Sequence, residues 1–251
     1  MTCKQIDDAA VRRLGIAEDE EILLIVGRNN SNRNSASIDA LIEALYSRGL
    51  SVCWYESTIS RARRTIGAQM DNVVPAGARH WLTGKAPFQV GMRWLAKTII
   101  LLAHPRLWWF FVKRWEERHH TSTRQLRQFV KSVHARRIFV LSQSAGGIAS
   151  SLIANDEPIE KLICFGYPFK HPDRDEEPRR TAHLQFLRKP FLIFQGEQDE
   201  YGRKADASRY VLSSAVTIEA IQATHDYDDL SGADFRRVLS LVTDFLEIAP
   251  R

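Results

Sequence analysis

Short apolar runs alternate with helical patterns along most of this chain, and that alternation narrows the folds open to it. The runs are Ile22–Val26, Ser51–Trp54, Arg137–Leu141, Lys161–Phe165, Phe191–Phe194 and Ala215–Ile218. Most are apolar at nearly every position, as in strands covered on both faces. Between them, helical periodicity marks Ser37–Ser47, Thr123–Val133, Gly147–Asn155, Lys204–Leu212 and Ala233–Phe245. In the first of these, Ile38, Leu41, Ile42, Leu45 and Tyr46 form one apolar stripe, and Gly49 follows as a stop. The alternation predicts an α/β fold, with a mostly parallel sheet of about six strands and helices on both faces. At 251 residues the chain reads as a single domain. A chain of that length buries roughly 70–75% of its unfolded surface and needs no disulfide or metal staple.

One segment breaks the pattern. Residues 58–118 are too long for a crossover loop and predict structure of their own, a helical insert serving as a cap. Its densest part runs from Trp94 to Trp115, WLAKTIILLAHPRLWWFFVKRW. Length alone would allow a membrane span. Lys97, His104 and Arg106 lie inside it and Pro105 divides it, so two helices are expected, near Val90–Ala103 and Arg106–Glu117. Their apolar surface must be buried against the core, a partner or lipid. Charge follows the same division. Ser60 to Arg136 holds 15 Lys and Arg against 3 Asp and Glu, so this stretch carries +12 while the whole chain carries +5. A solvated surface is the plain reading. An anionic membrane surface, an acidic substrate or a nucleic acid are the sharper ones.

Cys3, Cys53 and Cys164 are odd in number and widely spaced, which gives no disulfide framework and no metal set. With no basic-then-apolar leader at the N-terminus, they point to a cytoplasmic protein, with a peripheral membrane association left open. No GxGxxG or GxxxxGK[ST] pattern occurs, so no nucleotide cofactor is expected. The Arg61, Arg63 and Arg64 cluster comes without any nucleic-acid motif, and none is expected as a partner. His119-His120 lacks the cysteine or carboxylate neighbours of a metal site.

The stretch Arg136 to Asn155, RRIFVLSQSAGGIASSLIAN, carries the chemistry. A strand-like run ends at Leu141, a serine-containing turn follows, and a helical pattern begins at once. That context is required of a nucleophile elbow, with Ser144 as the nucleophile. Residues two before and two after it must be small, to avoid the strand and the helix. Gly146 fills the second of these places. Ser142 fills the first, where glycine is usual. The helix start behind Ser144 turns amides toward a developing oxyanion. Asp199 then follows the run ending at Phe194, and His225 follows the last run, on a loop before the final helix. Serine, acid and histidine thus come in that order, each beyond the C-terminal end of a strand, where open parallel sheets bind ligands.

The stretch Cys164 to Gly202 resembles part of the α/β-hydrolases. The matching features are Gly166-Tyr167-Pro168-Phe169, Arg180 with His183-Leu184, Pro190-Phe191-Leu192, and Gly196-Glu197 with Asp199 and Gly202. The group it resembles includes dienelactone-hydrolase-like bacterial proteins, testis-expressed vertebrate proteins and a subunit of a histone acetyltransferase complex. The resemblance covers Arg136–Tyr227 well and Ile22–Ser57 more loosely. It implies Ser144 as nucleophile, Asp199 as acid and His225 as base. The family's first strand usually runs into His-Gly, whereas this chain has Val26-Gly27-Arg28-Asn29.

The expected function is a serine hydrolase acting on a small ester or thioester, without a cofactor or metal. The Ala145 amide and one from Arg28 or Asn29 are expected to hold the oxyanion. His183 is expected to pack near the elbow as structure. Trp108 and Phe111, from the aromatic run of the insert, are expected to line an acyl pocket, with ordinary helix packing as the alternative. Two other readings stand beside this one. One is a catalytically silent scaffold that binds a partner through the insert, and the other is a protein lying on anionic lipid. The oligomeric state is not legible in the sequence.

Overall fold

A computed structural model describes residues 2–6, 9–14, 21–27, 35–57, 66, 69, 87–103, 115–155, 158–228 and 230–248. The chain divides into two compact units, one of residues 1–56 with 123–251 and one of residues 57–122.

The first unit is built on one sheet. Its strands are β1 (Thr2–Ile6), β2 (Ala9–Leu14), β3 (Glu21–Val26), β4 (Ser51–Glu56), β5 (Arg137–Gln143), β6 (Ile159–Phe165), β7 (Phe191–Gly196) and β8 (Val216–Ile221). They lie in the order β1-β2-β4-β3-β5-β6-β7-β8. The six from β4 to β8 pair in parallel, as the apolar runs predict. β1 and β2 add an antiparallel hairpin beyond β4. That hairpin was not expected. Its sequences, TCKQI and AAVRRL, mix polar and apolar residues and lack the continuous run that marks a strand covered on both faces. Because β4 lies on one side of β3 and β5 on the other, the order reverses at β3. The crevice beyond the C-terminal ends of β3 and β5 is therefore the topological switch point.

The two faces of the sheet bury two separate apolar clusters. On one face Ile22, Leu24 and Val26 meet Leu126, Phe129 and Val130 of α3 (Trp115–Ser132). Ile148 and Ala149 of α4 (Ala145–Leu152) pack on this cluster. On the other face Leu23 and Ile25 meet Ile38, Leu41, Ile42 and Leu45 of α1 (Ala36–Ser47). Val238, Val242 and Leu246 of α6 (Gly232–Leu246) complete that cluster. Alternate residues of one strand thus feed opposite cores, which is why the runs are apolar throughout.

Helix boundaries differ from the sequence reading by up to three residues at Ala145–Leu152 and Pro87–Ala103, and by more in two places. α3 is continuous from Trp115 to Ser132, where separate helices ending at Glu117 and starting at Thr123 were expected. Nothing in Arg118–Ser122 breaks a helix, since the segment has neither glycine nor proline. Residues 106–114 of the expected second insert helix lie outside the described residues. The pattern at Lys204–Leu212 yields only α5 (Lys204–Ala207), which closes with three-residue bonds from Arg209 N to Asp206 O and Tyr210 N to Ala207 O.

The second unit contains α2 (Pro87–Ala103). Met92, Trp94, Leu95, Ile99 and Leu102 of this helix are exposed, with Trp94 at 58% and Leu102 at 65%. Among the described residues no helix is long and apolar enough to cross a membrane.

Candidate active site

Ser144 stands between the end of β5 and the first residue of α4, with φ 51° and ψ −126°. This is a costly conformation for a residue with a Cβ, and it persists only where the surroundings enforce it. Two backbone bonds do so. Ser144 N donates to Phe165 O at 3.0 Å, and Gly147 N donates to Ser144 O at 2.8 Å. The side chain is left half-buried at the switch point.

The small neighbours have visible reasons. A Cβ at Gly146 would stand 2.6 Å from Val26 O and 3.1 Å from Gly27 Cα, so α4 approaches β3 backbone to backbone. Ser142 is fully buried, and its hydroxyl donates to Ile163 O at 2.9 Å across the sheet. A serine at this place is therefore accommodated by a specific bond.

The acid and the histidine converge on the same point. Asp199 lies beyond β7 and is 2% exposed, while His225 lies beyond β8 and is 8% exposed. His225 Nδ1 is 2.9 Å and 3.0 Å from the two Asp199 oxygens, and its Nε2 is 2.9 Å from Ser144 Oγ. With Nδ1–H donating to the carboxylate, Nε2 carries the lone pair that faces the serine hydroxyl. Asp199 Oδ1 also accepts from Tyr201 N at 2.8 Å, and Oδ2 accepts from Gln195 Nε2 at 3.0 Å. The Tyr201 ring packs on the His225 ring with centroids 4.4 Å apart.

Second-layer contacts hold these loops. Tyr227 adopts φ 55°; its hydroxyl accepts from Gly196 N at 2.8 Å and donates to Phe194 O at 3.0 Å. The His225 loop is thereby tied to the end of β7. Ser35, the N-cap of α1, donates to Tyr227 O and accepts from Ile38 N at 3.1 Å, so the start of α1 is tied to the same loop. Gly166 has φ 62°, and a Cβ there would stand 3.1 Å from both Asp199 Oδ2 and His225 Nδ1. Behind α4, His183 Nε2 is 2.7 Å from Ser151 Oγ, and burial lowers the His183 pKa to about 4. Burial also pushes the Cys164 thiol up to about 12, which leaves it a neutral packing group.

Of the expected site residues, Ser144, Asp199 and His225 come together. Ala145 opens α4, where the first amides of a helix lack intrahelical partners. Arg28, Asn29, Trp108 and Phe111 lie outside the described residues. Gln195, Tyr201 and Tyr227 were not singled out from the sequence, and Gly166 entered only as part of the resemblance, without a role in the site. Gln195 had a legible signal, a polar residue ending the apolar run PFLIF just before a glycine. Tyr201 and Tyr227 act through loop geometry that has no sequence period. Among the described residues no cluster of His, Cys, Asp and Glu is suited to a metal ion.

Comparison with known proteins places the chain in a family. Residues 112–245 match the model described as alpha/beta hydrolase domain, and the chain belongs to that family. Solved structures agree in fold. A hydrolase from Pseudomonas aeruginosa PA01 has a TM-score of 0.55 at 15% identity, covering 98% of this chain and 97% of that one. Est1E from Butyrivibrio proteoclasticus, solved with ferulic acid bound, has a TM-score of 0.56 at 15% identity, with 99% of each chain covered. An alpha-beta serine hydrolase homologue from Coxiella burnetii has a TM-score of 0.52 at 15% identity, covering 98% and 96%. A search of curated proteins finds no match in sequence.

Proposed function

We propose that this protein is a serine hydrolase that transfers the acyl group of a small ester or thioester to water. The observation that carries the reading is the unbroken line from Asp199 through His225 to Ser144 Oγ, ending on a serine held at positive φ. Ser144 Oγ attacks the acyl carbonyl carbon while His225 Nε2 takes its proton. Asp199 keeps the imidazole oriented and stabilises its cation. The protonated His225 then gives its proton to the departing alkoxide or thiolate, and the leaving group departs as alcohol or thiol. A water, deprotonated by His225, attacks the acyl-enzyme carbonyl; the bond to Ser144 Oγ breaks, the acid leaves, and His225 returns the proton to Ser144 Oγ. The Ala145 amide, with a second from Arg28 or Asn29, is assigned to the oxyanion. Loss of one such donor costs about 2.7–4 kcal/mol of transition-state stabilisation. The narrower likeness to the dienelactone-hydrolase-like group belongs to this proposal, as does the role of residues 58–118 as a cap, with Trp108 and Phe111 for the acyl pocket.

Nitrophenyl esters test it. We expect the wild-type protein to hydrolyse them, and Ser144→Ala and His225→Ala each to lower kcat by several orders of magnitude, because triad members act as a unit. A rise in kcat/KM with acyl length supports the apolar pocket, since each buried CH₂ contributes about 0.8 kcal/mol. A flat or falling series removes it. A fully folded protein with no esterase or thioesterase activity favours the silent-scaffold reading.

A second reading is compatible with the first and rests on the exposed side chains Met92, Leu95, Ile99 and Leu102 along α2, in a segment of strongly positive charge. These features suit a helix lying in the surface of an anionic membrane. Flotation with phosphatidylserine-containing liposomes tests it. Salt-sensitive binding that weakens in Leu95→Asp supports it, and no binding at low salt overturns it.

A further inference from the structure

We propose that Gln195 is a positioning residue for the acid of the site, holding Asp199 in register with His225; the inference rests on the hydrolase reading above. Gln195 is the penultimate residue of β7 and is fully buried. Its side-chain amide nitrogen donates to Asp199 Oδ2 at 3.0 Å and also to the carbonyl of Gly202. One NH₂ group therefore joins the strand to the acid and to the far end of the loop that carries the acid. That loop is short. Asp199 N donates to Gly196 O and Gly202 N donates to Asp199 O, so residues 196–202 close on themselves around the carboxylate.

The amide has only one tenable orientation. Rotating it by half a turn would set Gln195 Oε1 against Asp199 Oδ2 and Gly202 O, three acceptors with no hydrogen between them. In the orientation observed, Oε1 accepts no hydrogen bond from the described residues. A buried, unpartnered acceptor costs free energy that an apolar side chain would avoid. A glutamine is thus a poor choice for filling this place. It is a suitable choice for donating two hydrogen bonds into a closed loop.

The electrostatic setting makes the bond matter. Asp199 is faced by His225 from the loop after β8, by Tyr227 from the same loop, by Cys164 from β6, and by the Tyr201 amide from its own loop. Tyr227 and Cys164 are kept un-ionised by burial, so neither places a competing charge on the pair. The carboxylate charge is shared between donors on its flanks and the imidazole. Removing the Gln195 donor loosens the carboxylate and concentrates its charge on His225. That stabilises the imidazolium, so the neutral base is populated only at higher pH.

The rate of fluorophosphonate labelling as a function of pH reads this without knowledge of the natural substrate. Gln195→Met keeps the length and apolar volume and removes the donor. We expect it to lower the limiting labelling rate at least about 10-fold and to move the midpoint of the pH–rate curve upward. A loss of folded protein would reduce the amount labelled and leave the midpoint in place. Gln195→Glu is a second variant of the same shape, and it donates only while protonated. We expect it to add a descending limb at higher pH that the wild-type curve lacks. A wild-type protein that labels, with both variants matching its rate and midpoint, overturns the role of Gln195. A wild-type protein that does not label overturns the hydrolase reading itself.

Discussion

At the scale of single residues, the site depends on a few side chains whose bonds hold loops rather than touch a reactant. Tyr227 is the clearest. It lies two residues after His225 in the chain, and its hydroxyl bridges Gly196 N and Phe194 O. Tyr227→Phe leaves the Gly196 amide buried without that acceptor and should destabilise the protein by about 1–3 kcal/mol, measured as a lower urea midpoint at unchanged slope. Ser142→Ala removes the bond to Ile163 O and the contact with the Cys164 thiol, at about 1 kcal/mol, and should leave ester hydrolysis largely intact. If Ser142→Ala abolished hydrolysis and Ser144→Ala did not, the elbow would be assigned to the wrong serine. Ser144, Asp199 and His225, which the structure brings together, could be singled out because each is a reactive type at the end of a strand-like run. Gly166 was not. Its constraint comes from Asp199 and His225, 33 and 59 positions away, which only the folded chain brings beside it.

At the scale of elements, α4 is the piece that everything else must fit. Gly146 lets it approach β3, and a methyl there would meet backbone atoms that cannot swing aside. Gly146→Ala should therefore destabilise the protein by about 1–3 kcal/mol. Gly91, exposed on α2, has no atom within 4 Å of a would-be Cβ. Gly91→Ala should stabilise by up to about 1 kcal/mol through helix propensity alone, so thermal melts of the pair should shift in opposite directions. On its other side α4 carries Ser151, which meets His183 at 2.7 Å. Burial lowers the pKa of this histidine from its ordinary 6.5 to about 4. Between those values the unfolded chain binds a proton that the folded chain does not, so this contribution to stability is full above about pH 6.5 and falls as the pH drops toward 4. His183→Gln should flatten the dependence of the urea midpoint on pH over that window, and an unchanged dependence would assign acid sensitivity to other groups.

At the scale of the whole molecule, the parallel sheet was readable because strands covered on both faces need apolar residues at every position. The two edge strands and the length of α3 were not, since polar edge strands carry no continuous run and a helix without glycine or proline shows no internal boundary. The family match at residues 112–245 spans Ser144, Asp199 and His225 and most of the final helix. The most direct test of the whole account is mass spectrometry of the intact protein after exposure to a fluorophosphonate, followed by peptide mapping. One adduct per chain is expected, located on Ser144, formed far more slowly in His225→Ala, and absent from Ser144→Ala. Wild-type protein that is folded and takes no adduct, or takes it on a residue other than Ser144, would contradict it.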